Sequence, residues 1–162
     1  MAIVRSTWVD GVTVINNGQW QTIYDQIDRN PAPVFWVPAL IGSGGQSGQG
    51  YIAAGGLYTV LGKQVVFSGQ ISLYALGTLT GTVNIVGPPT IGTAIWNGAC
   101  AIGYWGGMTS SFYSLNAYIA GGTNTLIVLN GTKTAYTGGN PLVQGDFSNT
   151  TNIVFSGSYL TV

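Results

Sequence analysis

Charge is what this chain lacks. Of 162 residues, four are basic and four acidic, and neither histidine nor glutamate occurs. An ordinary globular domain is roughly a quarter Asp, Glu, Lys and Arg. From residue 31 onward the charged side chains are Lys63, Lys133 and Asp146. Each absence closes a route. Without histidine no Ser-His-Asp triad can form. One carboxylate in the β-rich part falls short of the pair that glycoside hydrolysis normally uses. No His and a lone Cys exclude metal sites built from nitrogen and sulfur ligands. Most enzyme chemistry runs on groups that gain or lose charge. The expectation is therefore a protein that binds, coats or assembles, with no catalytic residues, no cofactor and no metal site.

The other shortages narrow the setting. Net charge is zero, so no basic field draws the chain to nucleic acid or anionic lipid. Near-zero charge also favours association. Cys100 is alone, so no intrachain disulfide is available, and its apolar neighbours Ala99, Ala101 and Ile102 mark it as a small core residue. No run approaches the ~20 apolar residues that span a bilayer. The first residues do not read as a signal peptide, which places synthesis and folding in the cytoplasm. What is abundant is apolar and small: 46% hydrophobic residues and 26 glycines. That balance is the opposite of a disordered chain.

Three regions follow in order. Residues 1–30 hold five of the eight charges and read as an anchor segment. Within it, Trp20, Ile23, Tyr24 and Ile27 fall at helical spacing i, i+3, i+4, i+7, with Asn30-Pro31 as the stop. The predicted helix is short for an isolated one, so its stripe calls for a partner, and we assign it to trimer contact or particle anchoring. Residues 31–33, Pro-Ala-Pro, form a stiff linker. Residues 34–162 read as strands. Val65, Phe67, Gly69, Ile71 and Leu73 alternate with Gln64, Ser68, Gln70 and Ser72, the period-two signature of a half-buried antiparallel strand. Further strand-like runs cover 34–37, 81–86, 94–104, 111–120, 124–130 and 152–162. The glycine-rich tract 42–50 reads as a flexible uncharged loop. Asn130-Gly131 and Gly139-Asn140-Pro141 read as turns. Val66-Phe67-Ser68-Gly69 returns as Val154-Phe155-Ser156-Gly157, an echo too short for a repeat architecture.

Motifs for chemistry fail on context. Neither the 42–50 tract nor Gly62-Lys63 has the strand, spacing and Ser/Thr ending of a phosphate loop. Asp146 reads as a turn cap before Phe147, against the alternative of an oxygen-ligated calcium site. Trp96, Tyr104, Trp105 and Tyr113 fall in a Gly- and Ser-rich stretch. An exposed subset would suit carbohydrate, whose apolar faces stack on rings; core or subunit interface is the competing role.

Residues 56–73 resemble a stretch common in tailed-bacteriophage fibre and spike proteins, of approximate form G-x-Y-T-x-I-G-x-x-V-x-F-x-G-x-I-x-L. The continuation Thr80-Gly81-Thr82-Val83-Asn84-Ile85-Val86-Gly87-Pro88 resembles their T-G-x-V-x-I-x-G-x-P. Trp36, Pro38 and Leu40 resemble their W-x-P-x-L opening strand, and residues 153–161 their final strand. Residues 7–11 with 23–28 look like the short anchor helix of related phage proteins. The resemblance implies an antiparallel β-sandwich of jelly-roll type after a short N-terminal α-helix. It further implies a homotrimer on a virion, in contact with other virion structural proteins and with host-surface carbohydrate. Two departures stand out: no fibrous shaft separates helix from sandwich, and Gly87-Pro88-Pro89 replaces the usual G-L-P. The expectation is a stubby projection on tail or capsid, with no nucleic acid and no membrane insertion. A capsid decoration protein without receptor role and a free-standing carbohydrate-binding lectin are the alternatives.

Overall fold

A computed structural model describes residues 8–9, 12–13, 18, 31–88, 94–122, 126–133 and 139–161. The chain divides into two compact units, Met1–Pro31 and Ala32–Val162. In the first, β1 (Trp8–Val9) and β2 (Val12–Thr13) pair as a short antiparallel hairpin. The helix expected before Pro31, with Trp20, Ile23, Tyr24 and Ile27, lies outside the described residues; only Gly18, helical in backbone, belongs to them. No α-helix forms an element among the described residues.

The second unit is all strand: β3 (Val34–Trp36), β4 (Leu40–Gly42), β5 (Gly50–Leu61), β6 (Gln64–Ala75), β7 (Val83–Val86), β8 (Gly98–Gly106), β9 (Ser114–Ile119), β10 (Leu126–Thr132), β11 (Asn140–Pro141) and β12 (Asn152–Leu160). One 3₁₀ turn, Gln144–Asp146, precedes β12. Hydrogen bonds join the strands in the order β3-β5-β6-β12-β8-β9-β10-β7-β4, with β11 added on β10. The antiparallel all-β expectation holds. The sandwich expectation needs correction, because the strands form one continuous sheet where a sandwich has two.

That sheet curls until its ends meet. Its two end strands, β3 and β4, are consecutive in the chain. The four-residue step from Trp36 to Leu40 spans at most ~14 Å, so the sheet's first and last strands are tied corner to corner. The Leu40 N–H donates to the Tyr51 hydroxyl at 3.1 Å, linking β4 to β5 across the gap, and that hydroxyl donates to Gln49 Oε1 at 3.0 Å. Sheets of about ten strands curl or split. Here bulges assist, one near Tyr51 in β5 and one at Gly103 in β8, opposite Val154 and Phe155, since a bulge bends its strand and adds twist.

Both halves of the curl face one core. Val65, Phe67, Ile71 and Leu73 from β6 and Ile153, Phe155 and Tyr159 from β12 meet Val83, Ile85, Ile119, Ile127 and Leu129 from the other side. The alternation read for residues 64–73 is the observed burial pattern of β6. Cys100 is packed against this core, as expected, and burial pushes its thiol up to about 12.

Two turn expectations are overturned. Asn130 and Gly131 lie inside β10, because a Cβ on Gly131 would stand 2.4 Å from the Phe112 ring. Glycine there admits a ring; it does not reverse the chain. Asn140–Pro141 is likewise a short strand paired to β10. The 42–50 tract is pinned instead of free: Ser43, Gly44, Thr78 and Thr80 backbone N–H groups bond across to Thr82, Thr80, Ser47 and Gly45 carbonyls. Gly62-Lys63 is the two-residue turn between β5 and β6, opened by Gly62 at φ 62°, a conformation that glycine supplies freely.

Candidate interaction surface

The surface starts from the four-residue echo. Its two copies lie side by side on β6 and β12 and run antiparallel: Phe67 opposes Gly157, Ser68 opposes Ser156, and Gly69 opposes Phe155. The repeated sequence thus pairs with itself about Ser68 and Ser156. On the inner face, each phenylalanine covers the glycine across from it. A Cβ on Gly69 would lie 2.6 Å from the Phe155 ring, and one on Gly157 would lie 2.7 Å from Phe67. Trp36 repeats the device over Gly56, its partner on β5. The rings then touch in series: Trp36 edge-on to Phe155 at 6.2 Å, Phe155 to Phe67 at 6.5 Å, Phe67 to Tyr159 at 6.3 Å.

With Trp36, Phe67 and Phe155 turned inward, the two echo segments leave only Val66, Ser68, Val154 and Ser156 on the outer face. Register lays it out in rows across five strands. Phe35, Leu57, Ser68, Ser156 and Ala101 form one row; Gly55, Gln70, Val154 and Tyr104 a second; Thr59, Val66, Ser158 and Ala99 a third. None of these residues carries charge. Phe35 is 64% exposed and Leu57 47%. The polar members are hydroxyls and amides, and Gln70 Nε2 donates to Asn152 Oδ1 at 3.4 Å. The face therefore offers apolar area and weak polar groups without an ion to strip of water, which is the costly step in burying a surface.

The charged residues of this unit sit elsewhere. Lys63 is in the β5–β6 turn. Lys133 and Asp146 are ion-paired, and the Lys133 ammonium also lies 5.7 Å from the centre of the Phe112 ring. Asp146 is buried and organises the loops between β8 and β12: Ser110 Oγ donates to Oδ1 at 2.6 Å, and the Val143 N–H to Oδ2 at 3.0 Å. Burial by itself would raise this carboxyl; the bonds from Lys133, Ser110 and Val143 outweigh it and hold the pKa below the usual 3.8. The carboxylate is taken up by donors, one of them a cation, so the turn-cap role stands and the calcium alternative does not fit.

The four aromatic candidates are not gathered into one site. Trp96, 76% exposed, stands just before β8. Tyr104, 54% exposed, lies near the far end of that strand, some ~26 Å away at ~3.3 Å per residue. The bulge opposite Val154 and Phe155 leaves Gly103 unpaired and resets the alternation. Tyr104 therefore points outward, while Trp105 turns in against the core. Tyr113, 72% exposed, precedes β9. The anchor stripe Trp20, Ile23, Tyr24 and Ile27 lies outside the described residues.

Phe35, Leu57, Ala99 and Ala101 were not singled out as functional from the sequence. The signal available was the outward half of the echo: Val66, Ser68, Val154 and Ser156 alternate with the core residues and include no charge.

By sequence, the chain matches no family model and no curated protein. Among solved structures it is similar to the Dettilon tailspike protein, with a TM-score of 0.65 at 15% identity. The match covers 81% of this chain and 24% of the tailspike chain, so the chain spans about a quarter of the length of the protein it matches. The likeness is one of fold.

Proposed function

We propose that this chain is a structural protein of a bacteriophage virion: a short, trimeric, fibre-like projection on tail or capsid that meets host-surface glycans. The observation that carries the reading is the tailspike-like fold over 81% of the chain. The uncharged outer face supports it, since assembly buries surface and this face lacks ions to desolvate. In this role residues 1–30 hold the particle, through Trp20, Ile23, Tyr24 and Ile27, and the β-domain projects. Glycan contact falls to the exposed rings Trp96, Tyr104 and Tyr113; Trp105 is turned inward against the core. The chain binds and assembles; it does no catalysis.

A capsid decoration protein without receptor role is the second reading. The scatter of Trp96, Tyr104 and Tyr113, which are not gathered into one site, favours it. A glycan array probed with the labelled full chain separates the two. Binding that falls at least tenfold in Trp96→Ala or Tyr104→Ala supports adsorption. An array without any binding, alongside density for the chain on imaged capsids, selects decoration. Absence of the chain from purified particles overturns both.

A further inference from the structure

Trp96 is 76% exposed, yet the bend that carries it is fastened on both sides. Ahead of it, the Ile95 N–H donates to the Leu160 carbonyl at 3.0 Å, and the Gly122 N–H donates to the Ala94 carbonyl at 2.9 Å. Behind it, the Gly121 N–H donates to Asn97 Oδ1 at 2.9 Å. Gly121 backs the bend so closely that a Cβ there would stand 2.9 Å from the Trp96 carbonyl carbon. A large apolar ring is thus held out in water by backbone bonds from two other segments. Such a bend is pre-organised for a ligand, because its backbone is ordered before binding.

Trp96 and Asn97 line a hollow of about 170 Å³ with Gln64, Ala99, Ser158 and Leu160. Register brings these together: Leu160 of β12 pairs with Gln64 on β6, and Ser158 with Ala99 on β8. The hollow is smaller than the ~300–1,000 Å³ of sites for drug-sized ligands, so it holds one ring and not a buried chain. Its chemistry is mixed as a sugar's is. Trp96 offers an apolar face, with Ala99 and Leu160 as an apolar flank. Gln64 brings an amide donor and acceptor and Ser158 a hydroxyl; Asn97, its Oδ1 engaged by Gly121, brings Nδ2 as a donor. An acidic ligand would call for a cation, and no charged residue lines the hollow.

We infer that this hollow is a subsite for one neutral pyranose residue at the end or side branch of a glycan. The sugar's apolar face lies on Trp96, and its hydroxyls meet Gln64, Asn97 and Ser158. The inference rests on the glycan contact proposed above and narrows it to one ring and one class of sugar. Tyr104, ~26 Å along β8, does not reach the same residue.

A glycan array probed with the labelled full chain tests it by sugar class and by variant. Glycans ending in a neutral pyranose are expected to bind, and the free methyl glycoside of that sugar to compete. Trp96→Ala and Gln64→Ala should each weaken binding at least about tenfold, with melting temperature kept because both side chains are exposed. Binding that survives both substitutions leaves the glycan reading standing and overturns this hollow. Binding confined to acidic glycans, or competed only by longer oligosaccharides, overturns the single neutral ring. An array without binding overturns the glycan reading and the subsite together. If Trp96→Ala lowers the melting temperature, Ala99→Gln, which fills the hollow from β8, decides by the same readout.

Discussion

The two faces of the β6–β12 pair are made from one short phrase of sequence and do opposite work. Inward, Phe67 and Phe155 each lie over the glycine opposite, and the ring series from Trp36 to Tyr159 is buried. Outward, the residues between them, Val66, Ser68, Val154 and Ser156, leave a neutral plane exposed. The inner face depends on shape, because a ring over a glycine leaves no room for a Cβ. The outer face depends on the absence of charge. Single changes should therefore be expensive on one side and nearly silent on the other.

The sharpest contrast uses one residue type. Phe155 is 1% exposed and Phe35 is 64% exposed. Urea unfolding of dilute protein should show Phe155→Ala losing ~3–5 kcal/mol and Phe35→Ala less than ~0.5 kcal/mol. Equal losses would mean that the two faces are not distinct.

Next comes Asp146, the buried charge among the described residues. Asp146→Ala strands the Val143 N–H and Ser110 hydroxyl and should cost about 2–3 kcal/mol. Its pH dependence has a definite sign. The folded pKa lies below the unfolded one, so the stabilisation is full above the unfolded value of ~3.9 and is lost as pH falls through the folded value. Melting temperature should drop below about pH 4, and Asp146→Asn should remove much of that drop. An unchanged acid profile in the variant would assign the titration to other carboxyls.

A third comparison moves one step along β6. Gly69→Ala forces a Cβ against Phe155 and should cost ~1–3 kcal/mol, whereas Ser68→Ala on the outer face should stay within ~0.5 kcal/mol. Calorimetry on the pair decides it; a silent Gly69→Ala would show that the ring can step aside.

The mildest test reads chemistry in place of stability. Cys100 is packed on the core side, and its thiol is pushed up to about 12. At pH 8, where a thiol needs to be thiolate to react, native Cys100 should label at least about tenfold more slowly than a cysteine placed by Ala101→Cys next to it. Similar rates would undo the assignment of those neighbours to opposite faces.

Much of this was legible before any coordinates. Alternation over residues 64–73 identified the core face of β6 residue by residue, because a sheet with one side buried imposes a period of two. Cys100 as a packing residue and Asp146 as a turn cap were readable from neighbours and from the scarcity of ligands. Other features were not. Asn130-Gly131 has turn chemistry, yet Gly131 serves a ring arriving from Phe112, which no local window contains. Trp105 sat among candidate binding aromatics until an unpaired Gly103 reversed the alternation. The echo looked like coincidence because its meaning lies in two distant segments pairing antiparallel.

By itself, then, the sequence determined which titratable groups are present and the period of its strands. Both are local: titratable groups are present or not, and backbone geometry alternates side chains whatever lies beyond. Tertiary structure decided the strand order, the single curled sheet in place of two, and the outward plane on which Phe35, Leu57, Ser156 and Ala101 share a row. Those depend on contacts between residues up to 119 positions apart, as in the ring contact of Trp36 with Phe155, and register across strands is set only when the inner rings find their glycines. The physical reason is that packing selects among pairings that local preference leaves equal.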